Sequence, residues 1–324
     1  MNQQAFESHN HERWKTIDRL TSELEKKRVT ADAGQLPALY RQLCADIALA
    51  QHRMYGARLC AELNARLIRC RQVLANPNEK RGRGFVRLVL EDFPRAVRRE
   101  ARLFWLAMFL FFVPGILMVA AAHYEPRWIF AVLSPEQMQM MDSMYGKDDP
   151  TSIMRETFGS DFGMFGYYVY NNTTIGLRIA GMGLLAMVGS MFALGYQGVV
   201  LGAMEGYVHY AGNTERFYTF VAGHSAFELI GIVICGTAGM KLGQAVLKPG
   251  QESRGAALAT AGRRALPIVY GGALLIILAA FFEGFWSAGP ASSQTKYTVG
   301  IVNAVLLTLY LTFCGRSGEE SDAA

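Results

Sequence analysis

The chain has 324 residues, of which 51% are apolar and 18% are charged, and its formal net charge is +5. Charged residues are concentrated before residue 103 and long uncharged runs follow, which predicts a soluble region followed by an integral membrane domain. The positive excess lies just before the first apolar run, which favours an anionic membrane surface as a partner and argues against nucleic acid. The five cysteines show no metal-ligand spacing, so we expect reduced thiols and no zinc site.

Residues 1–80 predict a cytoplasmic helical domain. Sparse apolar side chains recur there at three- and four-residue spacing, which is typical of amphipathic helices. Residues 80–102 then contain eight Lys or Arg residues interleaved with Phe and Leu. This composition predicts a basic interfacial helix over 81–102 and, by the positive-inside rule, a cytoplasmic N-terminus.

From residue 103 to residue 314 the sequence predicts an all-α, polytopic membrane domain with a glycine-rich core. The expected spans lie at about 103–122, 175–204, 217–247, 266–286 and 297–314. The segment 123–170 is acidic and is therefore expected on the extracytoplasmic side, whereas the polar tail 315–324 is expected to be disordered. We interpret the chain as a multi-pass protein of the bacterial inner membrane.

The stretch 224–247 conflicts with a simple crossing. Only the twelve residues Leu229–Met240 separate Glu228 from Lys241, and at the helical rise they cover roughly 18 Å of a hydrocarbon layer about 30 Å thick. With the spans counted as above, a full crossing would also place the basic loop 248–264 outside, against the positive-inside rule. Both observations favour a broken or re-entrant helix here.

The same stretch carries the candidate site, an intramembrane polar site formed by His224, Glu228, Lys241 and Glu283. His224 and Glu228 are four residues apart, so they share one helix face. Ionisable groups in apolar surroundings can relay protons, bind a cation or gate a pathway, but a buried His–Glu pair can also serve only to lock helix packing. Both interpretations stay open at this point. Two ligand residues are too few for a metal site, so neither a metal nor a cofactor is predicted.

Other polar and small residues are expected to support the membrane domain. The supporting polar residues are Asn171, Asn172, Arg178 and Glu205, and the small-residue faces are formed by Gly198, Gly202, Gly206, Gly236, Gly239 and Gly243. Small residues four apart allow another helix to approach closely. We favour packing within the chain, with a homodimer as the alternative.

Several motifs of the membrane domain match a known family pattern. They are Asn171-Asn172, Tyr196-Gln197-Gly198, the His-x-x-x-Glu motif within Gly223–Leu229, the glycine-rich run Gly236–Gly243, and Ala279–Trp286. Together they resemble the stage II sporulation protein M family over roughly residues 100–314. The N-terminal helical region resembles the longer form of that family, which is found in bacteria that do not sporulate. The resemblance implies that His224, Glu228 and Glu283 are important, and for the sporulation member it implies a scaffold that coordinates two cell-wall hydrolases.

Two functions remain in view. The first is a non-enzymatic scaffold or assembly factor for a cell-envelope complex, in contact with membrane lipid and with envelope proteins that the sequence does not name. The second is a transporter or channel component that uses the buried His, Glu and Lys residues as a polar path. An enzyme is not expected, because no nucleophile–base set, P-loop or dinucleotide fingerprint occurs in a matching context.

Overall fold

The computed structural model of the chain describes residues 3–25, 31–75, 81–146, 159–251 and 253–316. All regular elements among these residues are helical. The chain separates into two compact units, Met1–Gly84 and Phe85–Ala324. Part of the expected extracytoplasmic segment (147–158) and most of the tail expected to be disordered (317–324) lie outside the described residues.

The first unit is a bundle of three amphipathic helices. They are α1 (Gln3–Glu25), α2 (Leu36–His52) and α3 (Ala57–Ala75). Each helix contributes apolar side chains three or four residues apart, which form one stripe that faces the other two helices. The fully or almost fully buried members of this core are Phe6, Trp14, Ile17, Leu20, Leu36, Leu43, Ala50, Leu63 and Cys70.

One buried polar contact joins α1 to α2. The Asp46 carboxylate, which is only 7% exposed, accepts hydrogen bonds from Arg13 Nη2 at 2.7 Å and from Trp14 Nε1 at 2.9 Å. Asp46→Ala leaves Trp14 Nε1 without its acceptor and leaves Arg13 Nη2 with Asn10 Oδ1 alone, so we expect the first unit to lose about 2–3 kcal/mol of stability. The measurement uses a chain whose other cysteines are Ser. In this chain Asp46→Ala should raise the rate at which the Cys70 thiol is labelled on the order of 30-fold or more.

Asp32→Ala is the matched control for this prediction. Its carboxylate lies 3.5 Å from Arg19, and both side chains are about half exposed. Exposed pairs of this kind contribute about 0–1 kcal/mol. Equal Cys70 labelling rates in the two variants would contradict a stabilising role for Asp46.

Eleven described helices and two π-helical turns follow the first three helices, and the boundary between the two units falls within the first of them. They are α4 (Arg81–Arg87), a π turn (Leu88–Asp92), α5 (Phe93–Arg99), α6 (Ala101–Tyr124), α7 (Arg127–Val132), α8 (Pro135–Tyr145), α9 (Asp161–Met182), α10 (Val188–Ala211), α11 (Thr214–Val221), α12 (Ser225–Leu247), α13 (Arg254–Phe282), a second π turn (Glu283–Ser287) and α14 (Ser293–Phe313). Four segments are long and apolar enough to cross a membrane: α6, α12, α13 with its π turn, and α14.

The long uncharged run expected as one span over 175–204 is divided into two helices. The helices α9 and α10 are separated by the turn Gly183–Met187, in which Ala186 and Met187 have positive φ angles of 53° and 67°. Ser190 Oγ donates to the Ile179 carbonyl at 2.6 Å and so ties the two helices together beside the turn. The hydropathy pattern could not indicate this turn, because the turn residues are themselves apolar.

The expected broken or re-entrant helix over 224–247 is wrong, since α12 is continuous for 23 residues. It runs antiparallel to α13: a Cβ on Gly231 would contact Ile276, and Gly272 lies against Cys235. Both arguments for a break have a physical answer. Lys241 is paired with Glu100 at 2.9 Å, and the division of the run 175–204 into α9 and α10 removes the count of spans on which the charge argument depended.

The glycine faces are used for packing within the chain. Gly198 and Gly202 approach α6 so closely that a Cβ on either would overlap a backbone carbonyl of that helix, and a Cβ on Gly206 would lie 2.6 Å from Ala122 Cβ. Gly236 packs against Leu194, while Gly239 and Gly243 contact the residues in and beside the α9–α10 turn. A homodimer would therefore have to use a different surface.

Candidate functional site

Three of the four predicted site residues meet where α12 begins and α13 ends. One ligand atom each from His224, Glu228 and Glu283 lies within 4.8 Å of the other two. His224 Nε2 is 3.8 Å from Glu228 Oε2. His224 and Glu283 are only 2% and 7% exposed. We call these three residues the His–Glu–Glu cluster.

Close backbone packing holds the cluster together. Gly223 lies directly against the indole ring of Trp286, which would have to shift to admit a larger residue. Asn303 Nδ2 from α14 donates to the Gly223 carbonyl at 2.8 Å. On the other side the chain adopts the π turn Glu283–Ser287, a rare geometry that recurs at functional sites. This turn presents Glu283 and Ser287 to the start of α12.

Two members of the cluster, His224 and Glu283, have polar neighbours that fix their orientation. His224 Nδ1 is 3.0 Å from Ser287 Oγ. Asn172 Nδ2 donates to Glu283 Oε2 at 3.3 Å. The Asn172 amide is in turn oriented by Asn171, whose Nδ2 donates to Asn172 Oδ1 at 2.8 Å.

Two tyrosines complete the surroundings. Tyr168 lies one helical turn before Asn172, and its hydroxyl is buried without a hydrogen-bond partner among the described residues. It is close enough to both carboxyl groups to sense their charge. Tyr145 of α8 approaches from outside the spans, where burial, reinforced by Glu283 and Glu228, raises the pKa of its hydroxyl well above the ordinary value.

The charge balance of the cluster is unusual. Within the described parts of the chain, no Lys or Arg forms an ion pair with Glu228 or Glu283. The nearby Lys296 Nζ donates instead to the Ser287 carbonyl at 2.7 Å. Two buried carboxyl groups without a cationic partner are stabilised either by protons or by a bound cation. The cluster therefore has the chemistry of a proton or cation site.

The remaining predicted residues lie elsewhere. Lys241 is thirteen residues along α12 from Glu228, which corresponds to roughly 20 Å, and it pairs with Glu100. Glu205 accepts a hydrogen bond from the Tyr218 hydroxyl at 2.5 Å. Arg178 is exposed on α9. The four-residue polar site expected from the sequence is thus a cluster of three plus one distant ion pair.

Some residues of the site were missed in the sequence. Helical spacing could have found two of them, because Tyr168 precedes Asn172 by four residues and Ser287 follows Glu283 by four. Tyr145 gave no such signal, since it reaches the cluster only through tertiary packing.

Family comparison agrees with this architecture. The profile of the stage II sporulation protein M family matches residues 100–288, and a domain of unknown function, DUF8413, matches residues 4–76. No curated protein and no solved structure gave a significant match. The first match covers more than half of the chain and includes the whole His–Glu–Glu cluster. The protein is therefore a membrane-embedded, all-α member of the stage II sporulation protein M family.

Proposed function

We propose that this protein is a non-enzymatic membrane scaffold or assembly factor for a cell-envelope complex. In this role the second unit, which we call the membrane unit, anchors the chain. The first unit provides a docking domain for envelope proteins. One observation carries the proposal. Apolar side chains of α12 fill the space between the His–Glu–Glu cluster and the Lys241–Glu100 pair. The side chains of Ile232, Val233, Cys235 and Met240, which lie between Glu228 and Lys241, are at most 2% exposed. A polar path along α12 would require these side chains to move apart.

The direction of the helices supports six crossings of the bacterial inner membrane, in which α9 and α10 cross in addition to the four segments that are long and apolar enough by themselves. The order of the glycine contacts along each pair of helices shows their relative direction. By this criterion α10 is parallel to α6, α9 is parallel to α12, and α13 runs opposite to α12. The helices α6, α9, α10, α12, α13 and α14 thus alternate in direction along the chain. The Lys241 end of this bundle carries Arg95, Arg98, Arg99, Arg102, Lys248, Arg254, Arg263 and Arg264.

The opposite end is acidic and carries Glu125, Glu136, Asp142, Asp161 and Glu215. By the positive-inside rule the Lys241 end faces the cytoplasm. The first unit, the loop that precedes α13 and the C-terminus then share the cytoplasmic side, while the His–Glu–Glu cluster lies near the extracytoplasmic surface.

Cysteine labelling tests this topology. In a cysteine-free chain, we expect Gln139→Cys to react in intact cells with a thiol reagent that does not cross the inner membrane, and Gln251→Cys to react only after lysis. Both side chains are exposed, so burial does not limit either reaction. Labelling of both positions in intact cells would place them on the same side of the membrane and would rule out the three crossings, α9, α10 and α12, proposed between them.

Ion flux distinguishes the scaffold from a transporter. We expect proteoliposomes that contain the purified chain to show no proton or cation flux above that of protein-free vesicles, because the side chains of α12 between Glu228 and Lys241 are packed against their neighbours. A flux that Glu228→Gln abolishes would instead establish the transport function.

In cells, deletion of residues 1–84 should release the membrane unit from its assembly. On native gels this release would appear as a loss of mass larger than that of the deleted segment.

A further inference from the structure

We propose that His224, Glu228 and Glu283 bind a divalent metal ion of the borderline class, with Zn²⁺ as the ion that fits best. One imidazole nitrogen and two carboxylate oxygens are ligands that Zn²⁺ accepts. A bound dication also supplies the positive charge that the described Lys and Arg residues do not supply to these two carboxyl groups.

The distances suit such an ion after small side-chain rotations. Ligand atoms around a tetrahedral Zn²⁺ at about 2.1 Å are roughly 3.4 Å from one another. His224 Nε2 and Glu228 Oε2 are already at 3.8 Å, and no pair in the cluster exceeds 4.8 Å. The carboxyl groups end flexible side chains, so they can close the remaining distance while the helices stay in place.

The neighbours of the cluster have the arrangement typical of groups that support metal ligands. A histidine ligand usually donates its second ring N–H to an acceptor, and a ligating carboxylate is usually hydrogen-bonded. Ser287 Oγ can accept from His224 Nδ1–H at 3.0 Å, which leaves the Nε2 lone pair directed toward the carboxyl groups. Asn172 holds Glu283 by its Oε2 atom.

The Tyr168 hydroxyl is an independent pointer to a ligand. It is buried beside the carboxyl groups, with Tyr168 only 4% exposed, and it has no hydrogen-bond partner in the described part of the chain. Buried hydroxyl groups normally have one. Three protein ligands leave a fourth position on Zn²⁺ for water, and such a water is the partner that Tyr168 lacks.

Metal analysis of the full-length protein tests the site. The detergent-purified chain, without a histidine tag and dialysed against metal-free buffer, should retain or take up one Zn²⁺ per chain. We expect EDTA to lower the Tm and added Zn²⁺ to restore it.

Glu283→Gln and Glu228→Gln should weaken Zn²⁺ binding at least 10-fold. The matched control is Glu205→Gln, which removes a partly buried carboxylate of the same unit outside the cluster and should bind as the wild type does.

The results separate the metal site from a proton-sharing cluster. A folded, monodisperse wild-type chain that takes up no Zn²⁺ and whose Tm does not respond to EDTA would overturn the proposal. If the Gln variants do not fold, X-ray absorption of the zinc-loaded wild type decides instead. One imidazole with two or three further oxygen neighbours supports the site, whereas sulfur ligands or several imidazoles contradict it. None of these readouts depends on the scaffold function.

Discussion

Replacing Gly198 with Ala is expected to prevent stable folding of the membrane unit. A Cβ at this position would overlap the carbonyl oxygen of Phe111 on α6, and a backbone atom cannot move aside as a flexible side chain can. Because α6 and α10 form an extensive contact, the helices must separate, and we expect a loss of about 3 kcal/mol or more. The measurement is the fraction of monodisperse protein that survives a temperature series in detergent.

Gly195→Ala is the control for this prediction, one turn earlier on the same helix. The nearest atom to a Cβ there is the Leu110 carbonyl oxygen at 3.7 Å, an ordinary contact. Alanine is also favoured over glycine inside helices by up to about 1 kcal/mol. Gly195→Ala should therefore match or exceed the wild-type Tm. Equal decreases in Tm for Gly195→Ala and Gly198→Ala would mean that the α6–α10 contact is not the one described.

Lys241→Met is expected to be the second most damaging single change. Lys241 Nζ lies 2.9 Å from Glu100 Oε1, and the two side chains are 18% and 10% exposed. Removing the lysine leaves a mostly buried carboxylate without its main partner, which usually costs about 3–5 kcal/mol. Arg99 Nε lies 3.8 Å from the same carboxyl group, so we expect the lower end of that range and a clear fall in Tm.

The double variant Glu100→Gln with Lys241→Met provides the decisive comparison. It removes both charges, so most of the lost stability should return, and the non-additivity measures the coupling between the two residues. Arg127→Met, which breaks the fully exposed contact with Glu125, should leave Tm unchanged. Additive losses from Glu100→Gln and Lys241→Met would show that the pair is not coupled.

Hydropathy and helical periodicity predicted the class of this protein but not how its apolar runs divide into helices. Long uncharged runs identified α6, α13 and α14, because apolar helices of that length have few alternatives. The same rule failed at 175–204, where an apolar turn divides one run into two helices. The count of spans that used this run was one of the two grounds for the mistaken break in α12. The other was the short apolar run before Lys241, whose charge is paired with Glu100.

The candidate site was predictable in part. His224 and Glu228 share a helix face by spacing alone, and Glu283 followed from its place at the end of an apolar run. That these three residues meet, and that Lys241 does not join them, depends on the antiparallel contact between α12 and α13. The contact of Glu283 with the other two residues therefore emerged only from the fold, as did the Tyr145 contact and the arrangement of amides around Glu283.

The turn between α9 and α10 has a consequence for the biogenesis of the protein. Gly183–Met187 contains no charged residue, and Leu184 and Leu185 are 50% and 66% exposed. In the proposed topology this turn stays on the cytoplasmic side, so insertion of α9 and α10 as one hairpin carries the flanking segments across the membrane and not the turn. The nearest positive charge that can retain the turn is the single residue Arg178, which is exposed five residues before it. The hairpin takes its orientation from the basic segments before α6 and before α13, so neutralising those segments should misorient a pair of helices that contains none of the altered residues.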